Sequence, residues 1–421
     1  GGAFALVRSA ATGAVEVLDS REVAPAWASR DVFVGRPGAA LGGGQAVAVP
    51  GELLGLHALW RRHGRLEWAS LCEPAAALAE AMPVRWDFAA ALEGVARELI
   101  RHSPESALLP YFHDLATGEP LREGDTIRRP TLAAFLRRVG ARGPREAMYA
   151  GEAAEALAAE VRKAGGNLTA QDLEAYSVEV REPLQKELLG GTFFGAPPPS
   201  SGGATIIQAL ILLSGAAEPL AGIGDGLAAH RLVESMKHAF ALRMSLGDPC
   251  CTNVTRVLRD MLSETFNAEL RSSIEDHAVL NLKQYGARYN QLPEDHGTTH
   301  LSVVDAEGNA VAMTSTINTH FGSKIISKST GMTLNNEMDD FSTPGQANTY
   351  GLAPSAANFI APGKRPLSSM SPSIFVRESD GAMVVVGASG GPRIITATLQ
   401  ALVRLLLRGR SPFDAIHLPR L

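Results

Sequence analysis

Two threonines and the turn between them carry the first sign of chemistry. Asp305 and Asn309 flank Ala306-Glu307-Gly308, and a three-residue loop with glycine in the left-handed position is a common hairpin connection. Pairing Asp305 with Asn309 fixes the register and sets Thr298 opposite Thr316. Directly paired residues have Cβ atoms about 5 Å apart, so the two hydroxyls can meet. Alternation puts Thr298, His300, Ser302 and Val304 on one face, and a bulge would shift all of this by one residue. Such a pair has two readings. Thr–Thr hydrogen bonds between strands are routine sheet chemistry. A threonine that begins a chain, however, has its own α-amine as general base, with an ordinary pKa of about 8. Thr298 gains that role only if the bond before it is cut, and Gly297, lacking a side chain, permits a strained scissile bond there. On these residues alone both readings stand.

The elements that must position this hairpin follow from periodicity. Gly1 to Val7 reads as the middle of a strand and Ala14 to Leu18 as a short one. Helices are expected over Gly51 to His63, Trp68 to Glu80, Pro130 to Val139 and Gly151 to Ala164, the last stopped by Gly165-Gly166. A further helix spans Ala228 to Leu246, with Leu232, Met236, Phe240 and Met244 on one stripe, ended by Asp248-Pro249. From Thr298 the chain turns strand-rich: Thr298 to Asp305, Asn309 to Ile317 and Ala382 to Ala388, then a helix over Ile394 to Leu407. Ser342 to Pro372, rich in Pro, Gly, Ser and Asn, reads as ordered loop. There are no internal repeats.

Composition narrows the class. With 45% hydrophobic and 20% charged residues over 421 positions, the chain can bury a sizeable core, as one large domain or two smaller ones. A net charge of −5 with mixed signs excludes the basic footprint of a nucleic-acid binder. No apolar run reaches the roughly 18 residues of a membrane span, so Ala204 to Leu213 and Ala401 to Leu407 read as core. Cys72, Cys250 and Cys251 form no disulfide framework and no zinc spacing, and are expected to be ordinary thiols. Asn167-Leu168-Thr169 and Asn253-Val254-Thr255 match the glycosylation triplet, a pattern common by chance.

Short motifs in order along the chain then converge. They run from Asp19-Ser20-Arg21-Glu22-Val23-Ala24-Pro25 and Ala48-Val49-Pro50-Gly51-Glu52 through Pro198-Pro199-Ser200-Ser201-Gly202-Gly203 and His230-Arg231-Leu232-Val233-Glu234. They continue with Thr298-Thr299-His300-Leu301-Ser302, Thr316-Ile317-Asn318, Asn335-Asn336-Glu337-Met338-Asp339-Asp340-Phe341, Pro366-Leu367-Ser368-Ser369-Met370 and Gly387-Ala388-Ser389-Gly390-Gly391. Each is weak alone. Together they resemble the gamma-glutamyltransferases, also called glutathione hydrolases, over essentially the whole chain.

The resemblance implies an α+β fold of the N-terminal-nucleophile hydrolase type: an αββα sandwich of two stacked, mainly antiparallel sheets between helical layers. It implies a precursor that cuts itself at Gly297–Thr298 into a large subunit, 1–297, and a small one, 298–421. Thr298 would be the nucleophile, Thr316 its hydrogen-bonding partner, and Gly390 and Gly391 the oxyanion hole. Arg21, Ser368 and Ser369 would bind the substrate α-carboxylate; Asn318, Glu337 and Asp340 would surround its α-amine. Read without the family, Arg21 is a salt bridge to Glu22 or another acid, the serines a turn, and the acids a cap, a solvated loop or a metal site. Substrates would be glutathione and other gamma-glutamyl compounds, with amino-acid or dipeptide acceptors and no cofactor, outside the cytoplasm: extracellular, periplasmic or at the cell surface.

Departures from the family pattern are expected to matter. The chain starts past the family's N-terminal segment and stops at Pro419-Arg420-Leu421, before the small subunit's end. Tyr350-Gly351 resembles the lid aromatic of bacterial members, whereas Asn358-Phe359-Ile360 resembles animal ones. Two rival functions remain: an acylase for glutaryl-type side chains, disfavoured because such a group has no α-amine for Glu337 and Asp340, and a non-catalytic relative.

Overall fold

Strand alternation decides the layers. The computed structural model describes residues 1–421 apart from 103–107, 114–116, 118, 216–219, 223, 286–296 and 347–353. Its strands are β1 (Gly2–Arg8), β2 (Val15–Asp19), β3 (Met82–Pro83), β4 (Thr126–Ile127), β5 (Glu179–Arg181), β6 (Leu184–Leu188), β7 (Gly191–Gly195), β8 (Thr298–Val304), β9 (Ala310–Thr316), β10 (Ser373–Arg377) and β11 (Met383–Val386). One antiparallel sheet has the order β5-β2-β1-β9-β8 and a second β11-β10-β7-β6, while β3 and β4 pair only with each other. The helices are α1 (Glu52–His63), α2 (Trp68–Glu80), α3 (Trp86–His102), α4 (Pro130–Pro144), α5 (Gly151–Lys163), α6 (Ala170–Ala175), α7 (Gly202–Ser214), α8 (Asp225–Arg243), α9 (Thr255–Leu262), α10 (Glu264–Ser272), α11 (Leu282–Tyr285), α12 (Arg393–Leu402) and α13 (Pro412–His417).

Phe4 and Leu6 of β1 join Ala310 and Ala312 of β9 against Ile374 of β10, which fills the space between the sheets. Ala3, Ala5 and Val7 point the other way and pack with Leu56 and Leu59 of α1. On the outer face of the second sheet, Phe193 and Phe375 meet Ile207 and Leu210 of α7, Leu232 of α8 and Leu399 of α12. Helix, sheet, sheet, helix is the expected layering. β1 reads as an unbroken apolar run because both of its faces are covered.

The expected elements are present with shifted ends. The helix anticipated over Ala228 to Leu246 is α8, which starts three residues earlier and stops at Arg243, so Met244 leaves the apolar stripe and turns toward the site. The anticipated C-terminal helix is α12, continued by a wider π-turn over Val403–Leu407. Ala204 to Leu213 lies within α7 and is buried throughout, as read. No helix among the described residues is long and apolar enough to cross a membrane. The cysteine expectation needs correction. Cys250 and Cys251 are joined as a disulfide between sequence neighbours, and Cys72 is free. The turn after α8, closed by Cys251 and Thr252 N–H groups on the Asp248 carbonyl at 3.1 and 2.9 Å, brings the pair together.

Candidate active site

The hairpin has the register that its turn dictates. β8 pairs β9 from Thr298↔Thr316 to Val304↔Ala310. Asp305 fastens the turn by accepting the Glu307 and Asn309 N–H groups at 2.9 and 2.8 Å, and Gly308 takes φ +85°. Thr298 Oγ1 and Thr316 Oγ1 lie 3.0 Å apart. Thr316 Oγ1 accepts the Asn318 N–H at 2.9 Å and donates toward the Gly297 carbonyl at 3.3 Å. The Thr316 hydroxyl therefore touches both the Thr298 hydroxyl and the carbonyl of the Gly297–Thr298 bond. Gly297 is pressed against the next strand end: a Cβ there would sit 2.1 Å from the Asn318 carbonyl oxygen. Asn318 is itself held at φ +74°.

Two positions along, His300 bonds Thr314 Oγ1 at 2.8 Å and Ser302 Oγ at 3.0 Å. Gly387, at the start of the loop bearing Gly390 and Gly391, passes so close that a Cβ would lie 2.3 Å from the imidazole. Burial pulls the His300 pKa from its ordinary 6.5 down to about 4, so the ring is neutral. Gly390 and Gly391 adopt φ +113° and +51°, open to glycine and rare elsewhere. They stand just before α12, whose first turn follows Pro392.

Arg21 follows β2 and is fully buried. Its Nη1 is ion-paired with Glu337 and its Nη2 with Asp340, while Glu22 is a more distant partner at 3.8 Å. Burial opposes its charge, but Glu337, Asp340 and Glu22 hold its pKa above the ordinary value. Burial likewise pushes the Glu337 carboxyl well above the carboxylate range, against the pull of Arg21. One Glu337 oxygen is buried with no hydrogen-bond partner.

Thr298, Thr316, Asn318, Arg21, Asp340, Ser368, Ser369 and Gly391 line one cleft. The sequence places these residues nearly the length of the chain apart, and the two sheets bring them together. Glu337 differs from expectation: it lies behind Arg21, with no exposed surface, and does not line the cleft. Gly391 lines the cleft and its neighbour Gly390 does not. Asn318 contributes its backbone N–H to Thr316, while its side-chain amide donates to the Asn336 carbonyl at 3.1 Å. Tyr350-Gly351 lies outside the described residues. Among the described residues no cluster of His, Cys, Asp and Glu is arranged to hold a metal.

Several contributors to this wall carry no site signal in the sequence, Arg243, Ser342 and Asn358 among them. Arg243 ends α8 and lines the cleft. Ser342 and Asn358 line it too, and Asn358 donates to the Asp340 carbonyl at 2.7 Å and accepts the Leu367 N–H at 2.9 Å, tying the acidic turn to the serine segment. Asn358 entered the sequence reading only as a marker of lineage. Arg243 stands out only by its place at the end of a helix just before Gly247-Asp248-Pro249.

The family model described as Gamma-glutamyltranspeptidase matches residues 1–421. "Glutathione hydrolase 2" of Arabidopsis thaliana is 41% identical over 425 residues, across 100% of this chain and 72% of that protein. The crystal structure of Helicobacter pylori gamma-glutamyltranspeptidase covers 68% of this chain and 81% of its own, at 27% identity and a TM-score of 0.62. Cephalosporin acylase from Bacillus halodurans superposes over 100% of this chain and 74% of its own with a TM-score of 0.83; at 24% identity the likeness is one of fold.

Proposed function

Since this chain belongs to the gamma-glutamyltranspeptidase family, we propose that it cuts itself between Gly297 and Thr298 and then cleaves gamma-glutamyl amides such as glutathione. The observation that carries this reading is the Thr298–Thr316 hydroxyl contact at 3.0 Å with the Gly297 carbonyl beside it. In self-cleavage Thr298 Oγ1 attacks the Gly297 carbonyl carbon, polarised by the Thr316 hydroxyl. The C–N bond breaks, the nitrogen takes up the hydroxyl proton, and an ester forms. Water opens the ester, leaving a Gly297 carboxylate and a free Thr298 α-amine.

That amine is the base of the second reaction. It accepts the proton of its own hydroxyl as Oγ1 adds to the γ-carbonyl of the substrate. Backbone N–H groups at Gly390 and Gly391 receive the oxyanion, and their glycine-only conformations beside the cleft support this role. Collapse expels the amine of the leaving group, which carries away the proton. Water or the amine of an amino acid or peptide then attacks the γ-glutamyl-threonine ester. Arg21, Ser368 and Ser369 take the α-carboxylate and Asp340 the α-ammonium, with Asn318 at the same end and Glu337 acting through Arg21. A carboxylate at the cleft wall favours a substrate head with an ammonium over the glutaryl side chain of an acylase. The same proposal places the enzyme in a periplasmic, extracellular or cell-surface setting, where members of this family are expected to work.

The test is a denaturing gel with N-terminal sequencing on the expressed protein and its Thr298 variants. Wild type yields a second polypeptide beginning at Thr298. Thr298→Ala stays uncut and inactive, whereas Thr298→Ser, which retains hydroxyl and amine, keeps part of both functions. A different N-terminus, or substantial turnover by the alanine variant, overturns the reading.

A further inference from the structure

Arg243 is the last residue of α8, is 3% exposed, and lines the cleft beside Ser369. Its Nη2 donates to Ser369 Oγ at 2.8 Å and its Nε donates to Ser201 Oγ at 2.8 Å. Ser201 Oγ passes the interaction on, donating to the Ser368 carbonyl at 2.7 Å. One guanidinium thus holds both serines of the wall, one directly and the other through a hydroxyl relay.

The consequence lies in the hydrogens. A guanidinium only donates, and a serine hydroxyl has one hydrogen and two lone pairs. Ser369 Oγ must accept from Arg243, so its single hydrogen is turned toward another acceptor. Ser368 Oγ is fixed in the same sense, because it accepts the Met370 N–H at 3.1 Å. Both hydroxyls are left as donors on a wall backed by a permanent cation. Carboxylate oxygens only accept, so they take the two free hydroxyl hydrogens, whereas an ammonium only donates and is repelled by the guanidinium behind the wall. Arg21, for its part, already shares its guanidinium with Glu337 and Asp340, which raises the weight on the serine wall in holding an anion.

We propose, resting on the function above, that Arg243 is a positioning residue that sets Ser369 as a hydrogen-bond donor, anchors the Ser368 backbone through Ser201, and so selects substrates bearing an α-carboxylate.

The experiment measures kcat/KM on a γ-glutamyl anilide and on the 4-aminobutanoyl anilide, which keeps the amine and lacks the α-carboxylate. Wild type favours the first. Arg243→Gln lowers kcat/KM on the γ-glutamyl anilide by roughly 10- to 100-fold, the scale of a charge-assisted bond, and changes the other little, so the ratio collapses. Arg243→Lys, which keeps the charge but loses the planar fork, gives an intermediate ratio and guards against misfolding of the glutamine variant. The loss in Arg243→Gln combined with Ser369→Ala falls short of the product of the single losses, because the two act as one unit. Self-cleavage proceeds in every variant. A wild-type ratio maintained in Arg243→Gln and Arg243→Lys, or fully multiplicative losses, overturns this inference alone. A wild type indifferent to the α-carboxylate overturns the function beneath it.

Discussion

A residue here acquires its role from what is pressed against it. Asp340 is ion-paired with Arg21 and also faces the cleft, so it can serve the substrate's ammonium, whereas Glu337 is sealed behind the same guanidinium and serves Arg21. Asp340→Asn is therefore expected to narrow the preference for a γ-glutamyl over a glutaryl donor, measured as the kcat/KM ratio; an unchanged ratio places the amine elsewhere. Arg21→Ala leaves two acids facing each other and removes a cation from the wall. Losing such a buried charge pair costs about 2–5 kcal/mol, or roughly 30-fold or more in kcat/KM. His300 gives a pH signature. Its ordinary pKa of 6.5 falls to about 4 in the fold, so below pH 6.5 the unfolded chain takes up a proton that the folded chain refuses. Its contribution to stability is complete above 6.5 and is lost as pH falls toward 4. The melting temperature of His300→Gln is expected to decline less steeply over that range than that of wild type; parallel curves would mean a charged ring. The threonine pair was legible from the chain because a turn of known type lay between the two. Arg243 was not, because a basic residue in the last turn of a helix is ordinary, and only the arrival of Ser201 and Ser369 from elsewhere gives it a task.

At the scale of elements, the hairpin's register is legible to the residue, since Asp305, Gly308 and Asn309 fix the turn locally, while the strands stop at Val304 and start at Ala310, a residue short of the reading on each side of the turn. α8 was misplaced at both ends because its apolar stripe continues past the true stop: Met244 keeps the spacing but faces the cleft. The Cys250–Cys251 bond was missed for a related reason, as adjacency in sequence does not reveal the turn that joins the sulfurs. β5, β6 and β7 carry little alternation of their own and take their place from β2 and β10. The junction of the scissile glycine with β9 yields a sharper prediction. A Cβ on Gly297 would overlap the Asn318 carbonyl oxygen at 2.1 Å and lie 2.8 Å from the Thr319 carbonyl carbon. Both are backbone atoms, so Gly297→Ala must displace the segment whose Asn318 N–H holds Thr316. Displacements of about 1 Å at reacting atoms can slow a step by about 100-fold, and self-cleavage should slow on that order in a time course on denaturing gels. Co-expressing residues 1–297 carrying Gly297→Ala with a separate chain beginning at Thr298 should restore turnover, since no bond then remains to be cut. Cleavage at the wild-type rate would show that the tight packing does not poise the bond.

The whole molecule sets what cleavage can do. The proposed cut at Gly297–Thr298 would divide the chain, yet neither of the two large sheets respects that division. β9, from beyond the cut, pairs with β1 along its full length, from Gly2↔Thr316 to Arg8↔Ala310. β10 pairs with β7 from Ser373↔Gly195 to Arg377↔Gly191. The layer between the sheets mixes Phe4, Leu6 and Val17 with Ala310, Met370, Ile374 and Ile394, and the outer layer mixes Phe193, Ile207 and Leu210 with Phe375 and Leu399. Parting the two products would strip both sheets of ladder partners and expose both apolar layers, at about 25 cal/mol per Å² of apolar surface. Cleavage is therefore expected to free the Thr298 amine without freeing the subunits. Residues 1–297 and 298–421 should elute from size exclusion as one species with the mass of the intact chain, 44.4 kDa, while running as two bands under denaturing conditions. Their thermal unfolding should follow a single transition by near- and far-ultraviolet circular dichroism. Separate elution of the pieces, or two resolved transitions, would contradict a core shared across the cut.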